Sequence, residues 1–123
     1  MADSEQIKRE TELNRLTATM ANARNGKAAS QFALGQRYET GDSLVACNQD
    51  LAFDLYQKAA MQGHLPAVLR LAYCFENGIG TGCCMPNAFS LYQGALTAAK
   101  SGPERAMVEN YAVQLPKTVI YKL

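Results

Sequence analysis

An all-α helical repeat is the fold class this sequence predicts, and three observations predict it. Phe53-Asp54-Leu55-Tyr56-Gln57-Lys58-Ala59 returns 36 residues later as Phe89-Ser90-Leu91-Tyr92-Gln93-Gly94-Ala95, with five of seven positions identical and Ala52 and Ala88 just ahead of the copies. Leu34, Gly35, Tyr38 and Gly41 are matched by Leu71, Ala72, Phe75 and Gly78 at a spacing of 37. The one-residue difference between the two spacings falls between Gly41 and Ala52, in a loop, where a length change costs least. Self-similarity at a fixed period of this size marks stacked supersecondary units, and the unit here reads as helix, loop, helix.

The first segment, from Asp3 or Ser4 to about Asn25, carries Leu13, Leu16, Met20 and Ala23 on one helical face and Glu5, Lys8, Arg9 and Glu12 on others. Asn22 to Gly26 stands one period ahead of Ala59 to Gly63, so this helix reads as the closing helix of a degenerate preceding unit. Lys27 to Thr40 is an opening helix, its small residues allowing close approach of a neighbour and Gly41 stopping it. The loop from Asp42 to Gln49 has Val45 as its inward residue and Asn48 or Asp50 as N-cap of the next helix. Leu51 to Gln62 closes the unit, with Ala52, Tyr56, Ala59 and Ala60 forming a core stripe. Leu65 to Asn77 opens the second unit, Pro66 being tolerated in the first turn. A closing helix from Pro86 or Asn87 to about Lys100 ends at Ser101-Gly102-Pro103. Glu104 to Leu115 forms a last helix with Ala106, Val108, Tyr111, Ala112 and Leu115 for burial. Pro116 stops it, and Thr118 to Tyr121 favours extended structure that packs on the last helix or offers itself to another chain. The whole reads as one domain: a capping helix in 1–26, repeats in 27–63 and 64–102, a second capping helix in 103–115 and a tail in 116–123.

At 123 residues and 48% hydrophobic content, the chain is the size of one ordinary domain. A net charge of +1 and the absence of any basic run argue against nucleic acid as a partner. Met1 to Gln6 is hydrophilic, unlike a signal peptide, and no apolar run is long enough to span a bilayer. The expectation is a cytoplasmic protein that avoids the membrane and keeps its thiols reduced.

The unit resembles the Sel-one-like repeat (SLR) family of tetratricopeptide-like solenoids. Ala28, Phe32, Leu34-Gly35, Tyr38, Gly41, Val45, Ala52, Tyr56, Lys58-Ala59-Ala60 and Gly63-His64 meet its pattern in the first copy, and Ala67, Leu71, Phe75, Gly78, Gly80, Ala88, Tyr92 and Ala95 in the second. Departures are Ala72 for the glycine, Cys84 at the usual aspartate position, and three additional residues before Gly102. The resemblance implies a short right-handed superhelix of helix pairs, most often a bacterial adaptor, scaffold or chaperone-like binding protein. Fold alone does not fix function.

In stacks of this kind the opening helices line the concave face. Carried over, that geometry implies a partner-binding face of Phe32, Gln36 and Glu39 in one unit and Leu69, Tyr73 and Glu76 in the next, with Ala29 and Pro66 beside them and Val108 and Ala112 extending the row. Phe32 and Leu69 would form an apolar strip beside two carboxylates, suiting a peptide with an apolar anchor and a basic flank; packing between helices is the alternative role for both. The resulting expectation is a non-enzymatic adaptor for a protein or peptide, with the exposed repeat ends or the tail available for homodimerisation. Two other readings remain: a neutralising or chaperone partner of a secreted toxin or effector, and a small hydrolase or thiol-metal protein.

Little in the sequence supports catalysis or a cofactor. His64 is the only histidine and sits in the Gly-His turn that the repeat pattern provides, so a structural role is expected rather than general-base chemistry. Gly78, Gly80 and Gly82 follow a helix, whereas a phosphate cradle follows a strand. Cys47 and Cys83 are equivalent when the loops are aligned, and Cys84 adjoins them, which is the basis of the thiol-metal reading; paired Cys-x-x-Cys spacing is absent. Glu39 and Glu76 are the nearest approach to a carboxylate pair for hydrolysis. Cys74 reads as a small apolar residue on the helix surface or at a helix contact.

Overall fold

The computed structural model describes residues 3–99 and 102–112. Those residues form six helices and no strand: α1 (Ser4–Arg24), α2 (Ala28–Thr40), α3 (Gln49–Met61), α4 (Leu65–Asn77), α5 (Met85–Ala98) and α6 (Gly102–Ala112). The pairs α2/α3 and α4/α5 are the two repeats of an all-α superhelix, stacked between α1 and α6. The ends expected at Lys100 and Leu115, and the tail, lie outside the described residues.

Short polar residues and glycines punctuate the stack as local chemistry requires. Asp3 accepts the Gln6 amide at 2.7 Å to cap α1, and Asn48 accepts the Leu51 amide at 3.1 Å to cap α3. After α1 and α3 the chain turns by the same geometry. Lys27 N donates to Asn22 O and Gly26 N to Ala23 O, as His64 N does to Ala59 O and Gly63 N to Ala60 O. Gly26 and Gly63 hold φ of 92° and 82°, a region that favours glycine. The end of α1 is thus built as the end of a closing helix.

Tyr56 and Tyr92, each without accessible surface, anchor the two units. Gly35 lets Tyr56 lie flat on α2: a Cβ there would stand 2.8 Å from the ring's Cε1. In the second unit Ala72 fills that place and packs in one cluster with Tyr92, Ala88, Ala95 and Leu69. Burying a side chain the size of Leu69 completely is worth about 1.5–3 kcal/mol. Between the units, Ala52 and Tyr56 meet Leu71 and Cys74, with Phe53 edge-on to Phe75 at 5.4 Å. The loops match as well: Asn48 N donates to Tyr38 O and Cys84 N to Phe75 O, both at 2.8 Å. Val45 turns inward as expected, 6% exposed.

On α1 the expected apolar face divides. Leu16 and Ala23 are buried against the first repeat, while Leu13 is 52% and Met20 37% exposed. The reason is neighbour count, since α3 is covered from both sides whereas α1 packs substantially on α2 alone. The positions of α1 that correspond to Ala52, Leu55, Tyr56 and Ala59 are Arg15, Ala18, Thr19 and Asn22. That polar outer face suits a helix that ends a stack.

Candidate functional site

The opening helices α2 and α4 lie in successive repeats, so side chains at matching positions stand one unit apart. Their polar residues follow one local rule. A buried tyrosine hydroxyl needs a partner, and the closing helix of each unit finds it on the opening helix: Tyr56 Oη donates to Glu39 Oε1 at 2.8 Å, and Tyr92 Oη to Glu76 Oε2 at 3.2 Å.

In the first unit a third group joins. Arg70, on α4, donates through Nε to Glu39 Oε1 at 2.8 Å and through a second nitrogen to Oε2, a fork matched to a carboxylate. The same guanidinium lies 4.3 Å over the Tyr73 ring, a cation–π contact. Burial pushes the Glu39 carboxyl up, but the hydrogen bonds from Arg70 and Tyr56 and the Arg70 charge outweigh it, so it is held below its ordinary value. Burial, reinforced by the Glu39 carboxylate, raises the Tyr56 hydroxyl far above its ordinary range, keeping it a neutral donor.

The six sequence-predicted residues therefore separate. Leu69, expected on the partner-binding strip, has no accessible surface; it is core beneath α5, because α4 turns that side toward its own closing helix. Glu39 is 8% exposed and saturated by Tyr56 and Arg70. Phe32 is half-buried, its ring 5.8 Å from Tyr56 and 5.3 Å from His64. Gln36 is exposed, and Tyr73 and Glu76 are half-buried. Arg70 escaped the sequence reading because Ala33 holds its place in the first unit, so the repeat pattern does not single it out.

The register of α6 also differs from expectation. Gly102-Pro103 begins α6 as Leu65-Pro66 begins α4, 37 residues earlier. Counted so, Val108 matches Leu71 rather than Leu69, and its 1% exposure against the second repeat agrees. Val108 is core, and the position of Arg70 falls on Met107, 38% exposed. The Ala112 side chain lies outside what is described.

The loop thiols repeat a structural role. Cys47 Sγ donates to Glu39 O at 3.3 Å and Cys83 Sγ to Glu76 O at 3.2 Å, each serving a carbonyl at the end of its opening helix. Among the described residues no group of three or more His, Cys, Asp or Glu side chains could hold a metal ion. Cys74 is fully buried, and burial, with the nearby Glu39 charge, pushes its thiol up to about 12. His64 packs on Phe32 at the head of α4. Among the described residues no helix is long and apolar enough to cross a membrane. Two surface clefts of about 470 Å³ lie away from the Arg70 network, one including Leu65, Val68, Leu91 and Gly94, the other Met20, Gln31, Leu55 and Lys58.

The Sel1 repeat family model matches residues 28–64 and 65–93, more than half of the chain. The chain belongs to the Sel1 repeat family. Its Sel1 units superpose on solved relatives. The protective antigen c5321 of uropathogenic Escherichia coli, which displays an SLR fold, is 29% identical with a TM-score of 0.65 over 69% of this chain. A Sel1 repeat protein from Oxalobacter formigenes is 31% identical with a TM-score of 0.63 over 76%. The match spans 18% of the first relative and 25% of the second. No curated protein matches the chain. Sel1 repeats are generally protein-interaction modules, and the family is typically non-catalytic.

Proposed function

We propose that this Sel1 chain captures a protein or peptide on the face of α2 and α4, centred on Gln36 and Tyr73 beside the Arg70 guanidinium, and performs no chemistry on it. The carrying observation is the Arg70–Tyr73 contact: the guanidinium is pinned by Glu39 and in turn stacks on a half-buried tyrosine ring. An aromatic ring held in one orientation loses little entropy when a partner covers it, and tyrosine and arginine are the residues in which binding energy concentrates. Gln36, exposed one repeat away at the matching position, supplies both a donor and an acceptor. In this reading α1 and α6 are caps, and the whole chain works as one module.

The test is affinity capture with the wild-type chain beside the Gln36→Ala, Tyr73→Ala double variant, both checked by far-ultraviolet circular dichroism. Neither substitution opens the core, so both chains should keep their helicity. A partner retained by the first and lost by the second is the expected result. Equal retention would remove this face from consideration.

A further inference from the structure

The two repeats treat the same carboxylate differently. Glu39 receives its tyrosine from α3 and its arginine from the next opening helix. Glu76 receives its tyrosine from α5, but the next opening helix, α6, carries Met107 where α4 carries Arg70. Among the described residues no cation lies within ion-pair distance of Glu76. Its carboxylate is half-buried and reachable, with Oε2 fixed by the Tyr92 hydroxyl.

We infer that Glu76 is a receptor for an arginine side chain of the partner, which docks on the Glu76–Tyr92 pair as Arg70 docks on Glu39–Tyr56. The inference rests on the partner-capture reading above and names the chemistry of the residue captured. The molecule contains its own precedent, since the first unit shows this pair of residue types, at this place in the repeat, accepting a guanidinium in a two-nitrogen fork. Arginine is favoured over lysine because a planar fork can bond both carboxylate oxygens, whereas an ammonium is a compact and strongly hydrated charge. Met107, 38% exposed at the place in α6 that matches Arg70, would offer an adaptable apolar surface to the methylene stem of an arginine. Glu39 takes no part, because its charge is already neutralised within the chain.

The probe is the tripeptide Ac-Ala-Arg-Ala-NH2, titrated into the full ¹⁵N-labelled chain, with lysine and citrulline peptides as comparisons. The arginine peptide should give saturable amide shifts centred on Glu76. Citrulline has the shape without the charge and should bind at least about tenfold more weakly. Glu76→Gln, which keeps an acceptor for Tyr92, should weaken the arginine peptide by a similar factor. Met107→Arg should fill the place from within and abolish the shifts at Glu76, while leaving the fold intact because Met107 is exposed. Citrulline binding as well as arginine, an unaffected Glu76→Gln variant, or the absence of saturable shifts at Glu76 would each overturn the inference. The two proposals fail separately. A captured partner lost by the Gln36, Tyr73 double variant but held by Glu76→Gln would leave the binding face standing without the arginine receptor. Loss of the arginine peptide by Glu76→Gln, with capture unaffected in the double variant, would do the reverse.

Discussion

Replacing Arg70 by Met tests the connection between the repeats most directly. The Glu39 carboxylate, 8% exposed in the parent chain, would keep the Tyr56 hydroxyl beside it and lose its cation. Breaking one side of a fully buried ion pair costs about 3–5 kcal/mol. Arg70 retains 23% side-chain exposure, so water reaches the rim of the pair and about 2–3 kcal/mol is the appropriate figure. For a chain of this length that corresponds to a fall in melting temperature of roughly 8–12 °C. The loss should also depend on pH. In the parent chain the Glu39 carboxyl is held below its ordinary value of 4.5, so its stabilising contribution is present above that value and disappears as pH falls through the lower folded one. In the variant, burial is no longer opposed by the guanidinium, and the carboxyl should move above its ordinary value. The penalty is then present at neutral pH and relieved as pH falls below the unfolded value. Urea denaturation followed by circular dichroism at pH 7 and pH 4 should therefore give two stability curves that converge on acidification. Adding Glu39→Gln to the variant should recover about 1–2 kcal/mol at pH 7, because a neutral amide costs less to bury than an unpaired charge. A loss below about 1 kcal/mol at pH 7, or the same loss at both pH values, would refute the reasoning.

Two glycines should respond in opposite directions. Gly35→Ala places a methyl 2.8 Å from the Tyr56 ring and should cost about 1–3 kcal/mol by urea denaturation. Gly94→Ala, inside α5 with nothing within 4 Å of the new Cβ, should add about 1 kcal/mol; destabilisation would mean the helix needs that glycine for another reason. Thiol titration of the folded chain should find Cys47 and Cys83 reactive and Cys74 protected until urea unfolds the core, since Cys74 is buried with its thiol pushed up to about 12; four equal rates would contradict the packing. Gly80→Ala should cost more than about 2 kcal/mol, because φ is +69° and a Cβ would run into the Gln49 carbonyl oxygen, and an unchanged melting temperature would contradict that packing.

The fold was legible because repetition amplifies weak signals. Two copies of one apolar stripe, two glycine-terminated opening helices and a length change confined to a loop agree with one another, and the helix bounds that fall among the described residues appeared within a few residues of expectation. The binding face was less legible, for a physical reason. Position in a repeat locates a Cα, whereas function depends on where the side chain turns, and Leu69 and Glu39 turn inward to meet needs created by α5 and α3. One signal was available. Tyr56 and Tyr92 were recognisable as core residues, buried hydroxyls require partners, and Glu39 and Glu76 recur at nearly constant distance before them. Arg70 offered no such signal, since a residue present in one unit and absent from the other is what repeat averaging discards. The equivalence of Cys47 and Cys83 was visible, but their shared task, serving helix-end carbonyls, depends on loop geometry that the spacing does not encode.

Because Glu39 takes its cation from the neighbouring unit, the first repeat cannot satisfy its own interior when α4 is peeled away. Fraying that starts at the far end of the stack can proceed through α6 and α5 with modest electrostatic consequence, but the next step would strand a desolvated negative charge. The free energy of opening should therefore rise abruptly at α4, and hydrogen exchange should divide the chain there, with α2, α3 and α4 exchanging as one cooperative block and the distal helices opening ahead of them.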